Sequence, residues 1–246
     1  MIIVDIGACV GSFIDDCIEQ YGLESIEKIY AFEPLEINYN FLVEKYKENE
    51  KIQIFDFAIS NQAGQTCLFV KNFGQYLGNS GSSLKPDKKN VLYMLDDSKP
   101  FTKLTHKKVQ TSSRVTPDKD RPDHGTFICE NVKARIHLVQ AIKMSDFIQK
   151  AKIDKIDLLK IDAEGSEYDI FEDLLETRAI QNIEKIYFED HKRSVPSLTQ
   201  KRELVIERIK NFDPPIQERM WVQCGDKDYE LPFSEWLGKI EKEEMY

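Results

Sequence analysis

The stretch that decides the fold is VDIGACVGSF, at residues 4–13. A short apolar strand, Ile2 to Ile6, leads into a turn with two glycines, and an amphipathic helix from about Gly11 to Tyr21 follows. This order is typical of a nucleotide-type binding point, because glycine lets a ligand approach the backbone and free N–H groups of the turn point at it. The turn residues predicted to contact the ligand are Gly7, Ala8, Gly11 and Ser12.

Two acids decide which ligand fits this turn. Asp5 would repel a pyrophosphate but would suit a ligand that carries an ammonium and a sulfonium. Glu33 ends a second apolar strand, Ile29 to Phe32, about 20 residues after the turn, where an acid can hydrogen-bond ribose hydroxyls. The pair predicts binding of S-adenosylmethionine. The alternative is a purely structural turn, with Glu33 a surface carboxylate ahead of a helix N-terminus.

Composition limits the classes of protein that remain. The chain has 246 residues and a net charge of −9, which favours one domain over residues 1–246 and argues against a general nucleic-acid-binding protein. No stretch approaches the roughly 20 apolar residues of a membrane span. The N-terminal apolar run is not expected to be a signal peptide, because Asp5 interrupts it after four residues. Five cysteines without Cys-x-x-Cys spacing indicate reduced thiols and a cytoplasmic location. The sequence predicts no particular oligomeric state.

Strand and helix patterns alternate along most of the chain. They predict a doubly wound, mostly parallel α/β sheet whose ligands bind at the carboxyl ends of the strands. The C-terminal part, Ile216 to Val222 with Tyr229 to Leu231, adds an antiparallel edge. The other strands are predicted at Ile52–Ile59, Thr66–Val70, Ile136–Ile142, Ile156–Asp162 and Ile183–Phe188.

Residues after the second and third strands extend the predicted cofactor site. Pro34 suits the first turn of the second helix, directly after Glu33. Asp56, near the end of the third strand, could hydrogen-bond an adenine amino group. Alternatively, Asp56 is a loop carboxylate and Phe57 or Ala58 flanks the adenine ring.

The segment from about Lys71 to Lys133 has little periodicity and many Gly, Ser, Asn, Lys, Asp and Pro residues. A segment this long is more often a functional lid than a plain connection, so we expect an insertion that shapes the substrate site. Its middle, Lys85 to Arg121, holds ten Lys and Arg residues against five Asp, which would suit an anionic acceptor. The alternative is a solvated loop.

A second cluster, DAEGSE at residues 162–167, follows the most apolar strand. Asp162 ends that strand at the ligand edge of the sheet and needs a partner, either a ligand ammonium or Lys160. Glu164 and Glu167 are three residues apart and are expected on one face of the next helix, where they could simply complement its N-terminus. His191 follows the fifth strand at the same edge, where a general base is needed, although a lone histidine is usually structural.

Six segments together resemble the FkbM family of methyltransferases. They are VDIGA with GSF (residues 4–13), AFEP (31–34), AISN (58–61), GSSL (81–84), LLKIDAEGSE (158–167) and FEDH (188–191). The resemblance implies a class I, Rossmann-like methyltransferase fold and methyl transfer from S-adenosylmethionine, typically to a hydroxyl oxygen. It also implies that Asp5, Gly7, Gly11, Glu33 and Asp162 are cofactor-pocket positions.

The sequence therefore predicts an O-methyltransferase whose acceptor is a sugar, lipid or other small metabolite. His191 is the first choice for the base that takes the hydroxyl proton, and Glu164 is the second, with Asp162 beside them. A metal-free route is favoured over a divalent cation on Asp162, Glu164 or Glu189, because no second histidine or ligand spacing supports a metal. An N-methyltransferase and a non-catalytic adenosyl-binding module are the alternatives.

Overall fold

The computed structural model describes residues 1–70, 77–78, 81–85, 93–94, 113–117, 119, 124–129, 132–192, 194–223 and 230–241. Its strands are β1 (Ile2–Ile6), β2 (Lys28–Phe32), β3 (Ile52–Phe55), β4 (Ala58–Ser60), β5 (Gly64–Val70), β6 (Tyr93–Met94), β7 (Ser113–Pro117), β8 (His124–Cys129), β9 (Val132–Lys143), β10 (Leu158–Ile161), β11 (Ile186–Glu189), β12 (Met220–Gln223) and β13 (Glu230–Pro232). Its α-helices are α1 (Ser12–Tyr21), α2 (Glu36–Tyr46), α3 (Met144–Ala151), α4 (Glu167–Glu176), α5 (Thr199–Lys210) and α6 (Phe233–Glu241).

The main sheet has seven strands in the order β13-β12-β11-β10-β1-β2-β3. All neighbouring pairs are parallel except β12 and β13, which are antiparallel. This confirms the predicted doubly wound sheet with an antiparallel C-terminal edge. The strand order reverses between β1 and β10, and in such sheets the crevice at the carboxyl ends of these two strands is the usual ligand site.

Helices cover both faces of this sheet. The side chains of β1 alternate between the two faces and so contribute to a core on each side. Val4 and Ile6 belong to a large buried cluster that includes residues of α4, whereas Ile3 belongs to a second cluster with Ile14 of α1. Asp5 shares the face of Ile3 and is fully buried. The strand therefore places one carboxylate inside the α1-side core.

A second sheet, which the sequence did not predict, has β9 as its central strand. β4 and β8 pair with β9, β7 pairs with β8, and β5 and β6 also pair with β9. Three of these strands, β6 to β8, fall within the segment that was expected to be irregular. Their pairing partners are distant in sequence, so local periodicity carries little sign of them. The remaining residues of the predicted insertion lie outside the described part of the chain, and its role as a lid stays a prediction.

Two boundaries differ from the sequence prediction. The expected third strand, residues 52–59, is split at Asp56 and Phe57, and its halves, β3 and β4, belong to different sheets. Pro34 is not in the first turn of α2, which begins two residues later, because Leu35 is extended and donates its N–H to the Glu33 carboxylate (2.8 Å). Helix α6 was not predicted. None of the helices in the described ranges is long and apolar enough to cross a membrane.

Candidate active site

A cavity opens at the carboxyl ends of β1, β2 and β10. It holds about 620 Å³ of empty space, counted out to its open mouth. Its wall is apolar along much of its length and acidic at Glu33, Asp162 and Glu164. The lining residues are Ile6, Gly7, Cys9, Phe32, Glu33, Pro34, Phe57, Ala58, Ile59, Leu68, Gly81, Ser82, Leu84, Asp162, Ala163, Glu164 and Ser166.

Gly7 lies directly against the β10 turn. It has φ 81°, and a Cβ atom there would overlap the carbonyl oxygen of Asp162. The Asp162 N–H also donates to the Ile6 carbonyl (3.0 Å). The two turns are therefore locked together at the cavity wall, and only glycine fits this position.

The turn after β1 does not offer the free N–H groups that the glycine pattern predicted. Gly7 and Ala8 both donate to the Phe32 carbonyl (2.9 and 3.1 Å), and Cys9 donates to Glu33 Oε2 (2.8 Å). These amides are used to join the β1 turn to the end of β2. The prediction of amides aimed at a ligand is therefore wrong for Gly7, Ala8 and Cys9, whose N–H groups already have acceptors.

Glu33 closes one end of the cavity. Its Oε1 and Oε2 accept the N–H groups of Leu35 and Cys9, and the residue is buried. Burial raises the pKa of the Glu33 carboxyl to about 7, although the two N–H donors act in the opposite direction. Each oxygen keeps a lone pair for a further donor. Glu33 therefore presents a carboxylate of raised pKa to the cavity and also holds two turns in place.

Asp5 does not reach the cavity. Its Oδ1 lies 3.3 Å from Lys160 Nζ, and Oδ2 is buried without a hydrogen-bond partner among the described residues. Burial raises the pKa of Asp5 despite the neighbouring ammonium. Lys160 Nζ also lies 3.4 Å from Asp162 Oδ2 and near the Phe13 ring. The sequence analysis predicted a cationic ligand beside Asp5. The cation beside Asp5 is instead Lys160 of the adjacent strand.

Replacing Lys160 by Met is expected to destabilise the fold by about 3 kcal/mol, because it leaves the buried Asp5 carboxylate without a counter-charge. Chemical denaturation measures the loss. Lys155→Met is the matched control, since the exposed Lys155 pairs with Asp157 and Glu184 at the surface and its removal should change stability little. Equal losses in the two variants would contradict this role of Lys160.

His191 lies at the centre of a cluster of four carboxylates. Its Nδ1 is 2.9 Å from Glu167 Oε1, and its Nε2 is 3.0 Å from Glu164 Oε2. The same Nε2 is 3.4 Å from Glu189 Oε1 and 3.9 Å from Asp162 Oδ1. His191 is buried and is not part of the cavity wall, whereas Asp162 and Glu164 are.

The charges of this cluster shift two pKa values. Burial alone would lower the pKa of His191, but the carboxylates of Glu167 and Glu164 raise it well above its usual value. Burial raises the pKa of Glu189 to about 7, against the opposite effect of His191. A raised pKa makes His191 a weaker candidate for the base than the sequence predicted, and Glu164 is the candidate that lies on the cavity wall.

The turn before α4 sets the direction of the Glu164 side chain. Glu167 accepts the N–H groups of Ala163 (3.0 Å) and Gly165 (3.0 Å), which ties the turn to the first residue of the helix. Glu164 has φ 51°, and Ser83 Oγ donates to its carbonyl (2.5 Å). Glu164 therefore precedes the helix, and the expectation that it shares a helix face with Glu167 is wrong.

The structure brings about half of the predicted site residues to the cavity. Those on its wall are Gly7, Glu33, Pro34, Ala58, Asp162 and Glu164. Those away from the wall are Asp5, Ala8, Gly11, Ser12, Asp56 and His191. Ser12 and Asp56 are exposed, and Gly11 packs against Tyr46, whose hydroxyl donates to the Gly11 carbonyl (2.9 Å).

Several wall residues were not assigned to the site from the sequence. Gly81, Ser82 and Leu84 are the clearest, because they lie in the GSSL segment on which the family resemblance rests. The GSSL segment indicated the family, but no pattern in its neighbouring residues indicates that it lies at the cavity. Its position comes from the pairing of Ser83 with Phe69 of β5.

A parallel sheet whose strand order reverses at an acidic, apolar-walled cavity defines an α/β protein of the Rossmann-like class. The model of the methyltransferase FkbM domain matches residues 5–212. The chain therefore belongs to the FkbM methyltransferase family, as the sequence segments predicted.

One solved structure is also similar to the chain, the crystal structure of Methyltransferase FkbM from Methylobacillus flagellatus KT. The identity is 14% and the TM-score is 0.42, with 83% of this chain and 36% of that chain covered. This chain thus spans about a third of the length of that protein chain. The search of curated proteins found no match to the present chain.

Proposed function

We propose that the protein transfers a methyl group from S-adenosylmethionine to a hydroxyl oxygen of a sugar, lipid or other small metabolite. The observation that carries this proposal is one cavity with two acidic ends. Glu33 lies at the end of β2, and Asp162 and Glu164 lie at the end of β10. Membership of a methyltransferase family agrees with this assignment.

The cavity wall fits the proposed cofactor in chemistry. Glu33 can accept ribose hydroxyls, and the apolar Pro34, Phe57 and Ala58 can flank an adenine ring. Asp162 and Glu164 give the other end negative charge, which favours a ligand with an ammonium and a sulfonium. Asp56 is exposed outside this wall, so the apolar flank fits the adenine better than the carboxylate does.

The residues of the chain contribute alignment and proton transfer to this reaction. Bound S-adenosylmethionine supplies an activated methyl group on a sulfonium. Glu164, on the wall, accepts the proton of the acceptor hydroxyl, and the His191 imidazole, with Nε2 3.0 Å from Glu164 Oε2, holds the carboxylate in place. The apolar wall excludes water from the reacting atoms.

Cofactor affinity is expected to depend on pH through Glu33. Two ribose hydroxyls donate best to the ionised carboxylate, and its pKa of about 7 means that the proton competes with the ligand. Affinity for S-adenosylhomocysteine should therefore fall up to about tenfold per pH unit as the pH drops below 7. Calorimetry from pH 5 to pH 8 measures this slope.

Two variants of Glu33 separate charge from shape. Glu33→Ala should weaken the binding of S-adenosylhomocysteine by about 1.5–3 kcal/mol at pH 8, the cost of losing hydrogen bonds to a charged group. Glu33→Gln should bind weakly and without the slope below pH 7. A slope that persists in Glu33→Gln would show that another group titrates.

The test of the reaction is labelling. Purified protein is incubated with methyl-labelled S-adenosylmethionine and fractionated cell extract, and the labelled product is cleaved to distinguish O-methyl from N-methyl groups. The proposal expects an acid-stable methyl ether in a sugar, lipid or small-molecule fraction. A methylamine product would support the N-methyltransferase alternative. Cofactor binding without label transfer to any fraction would support a non-catalytic adenosyl-binding module.

A further inference from the structure

Three ligand-bearing side chains meet where the cavity is most acidic. One carboxylate oxygen of Asp162, one of Glu164 and a ring nitrogen of His191 all lie within 4.8 Å of one another. These residues come from the β10 turn and from the residues after β11. The sequence analysis placed these three residues at one edge of the sheet, but it found no ligand spacing that supports a metal.

From this convergence we propose that Asp162, Glu164 and His191 bind a divalent cation of the Mn²⁺ or Mg²⁺ kind at the cavity wall. Carboxylate oxygens are the usual ligands of these ions, and imidazole is accepted readily by Mn²⁺. Two ligand atoms about 2.1 Å from one ion lie about 3 Å apart at right angles and about 4 Å apart when opposite. The distances of 3.0 and 3.9 Å from Nε2 to the two carboxylates fall in this range.

The second nitrogen of His191 already has the partner that a metal-ligating histidine normally has. Nδ1 lies 2.9 Å from Glu167 Oε1, and Glu167 is fully buried and fixed by backbone N–H groups. Such a carboxylate orients the ring and selects the tautomer whose other nitrogen faces the ion. In this geometry that nitrogen is Nε2, which faces Asp162 and Glu164.

The charge count of the site independently favours a cation. Four carboxyl groups, those of Asp162, Glu164, Glu167 and Glu189, surround one imidazole, and the Lys160 ammonium lies 3.4 Å from Asp162. Excess charge of one sign is costly where water is largely excluded. A divalent cation offsets that excess and leaves coordination positions open toward the cavity.

This inference deepens the proposed function and gives Glu164 a different part in it. An ion at this wall would hold the acceptor hydroxyl oxygen and make its proton more acidic. Glu164 then acts as a ligand, and Glu189 is the remaining carboxylate of the cluster that can accept the proton. The binding of the ion does not require the cofactor, so the two proposals can fail separately.

The test is a titration of chelator-treated protein with Mn²⁺. Electron paramagnetic resonance measures the concentration of free Mn²⁺ at each point of the titration. We expect one bound Mn²⁺ per chain and a loss of affinity of at least about tenfold in both Asp162→Asn and Glu164→Gln. Glu176→Gln is the matched control, because Glu176 is an exposed carboxylate at the end of α4 and should leave Mn²⁺ binding unchanged. Mg²⁺ should compete with Mn²⁺ for the site.

The outcomes separate the two proposals. No saturable Mn²⁺ binding, or equal binding by the wild type and both site variants, would overturn the metal site. If S-adenosylhomocysteine still binds in that case, the proposed function stands without a metal. Mn²⁺ binding by a protein that does not bind S-adenosylhomocysteine would instead support the metal site and contradict the proposed cofactor. If one variant does not fold, the other still decides.

Discussion

Glu164→Gln is expected to lower turnover by about 10²–10⁴-fold, far more than it weakens the binding of S-adenosylhomocysteine, because Asp162 still supplies negative charge at that end of the cavity. The carboxylate lies on the cavity wall with Oε2 3.0 Å from His191 Nε2, and an amide can neither accept the hydroxyl proton nor bind a cation as strongly. Methyl-transfer rates and calorimetry on the same preparations measure the two effects. Glu176→Gln is again the control and should keep full activity.

The matching change at His191 tests which residue is the base. His191→Asn should also reduce turnover, because it removes the ring that holds the Glu164 carboxylate in place (3.0 Å). The pH profile then distinguishes the roles. Since Glu167 and Glu164 hold the pKa of His191 well above its usual value, a histidine base would give activity only above neutral pH. Activity already maximal at neutral pH supports Glu164. Normal turnover by Glu164→Gln would contradict its assigned role.

Gly7→Ala is expected to have the largest effect on stability, a loss of more than about 4 kcal/mol or no folded protein at all. The left-handed conformation alone costs about 1–2 kcal/mol for a residue with Cβ. The added carbon would also overlap the Asp162 carbonyl, a backbone atom that cannot move without disturbing the pairing of β1 with β10. Thermal and chemical denaturation measure the loss.

Gly64 provides a control that separates conformation from overlap. It also has positive φ, 125°, but no atom lies within 4 Å of a Cβ built there. Gly64→Ala should therefore show only the cost of backbone strain, about 1–3 kcal/mol. A Gly7→Ala protein as stable as Gly64→Ala would mean that the two turns are not locked together as described.

The parts of the fold that follow from local patterns were predictable. The apolar runs of β1, β10 and β11 and the helices between strands identify a parallel α/β sheet, since each pattern depends on neighbouring residues only. Gly7 and Glu33 were also found from the sequence, because a strand-to-helix turn and the end of the next strand meet in every sheet of this kind.

The rest depends on contacts between distant segments. The break at Asp56 exists because β4 pairs with β9, and residues 58–60 carry no mark of that choice. Asp5 is paired with Lys160 through the register of β1 with β10, which the sequence does not specify. Glu164 was placed in a helix because its spacing from Glu167 is helical, whereas hydrogen bonds from Ala163 and Gly165 to Glu167 form a turn.

The most direct test of the account is calorimetry of the wild-type protein with S-adenosylhomocysteine and with NAD. An acidic cavity in which the amides of Gly7, Ala8 and Cys9 already have acceptors should bind S-adenosylhomocysteine at one site per chain. It should bind NAD, with its pyrophosphate, at least about a hundredfold more weakly, a difference of about 2.7 kcal/mol. Binding of NAD as tight as that of S-adenosylhomocysteine, or no binding of S-adenosylhomocysteine at pH 8, would contradict the proposed cofactor and the function built on it.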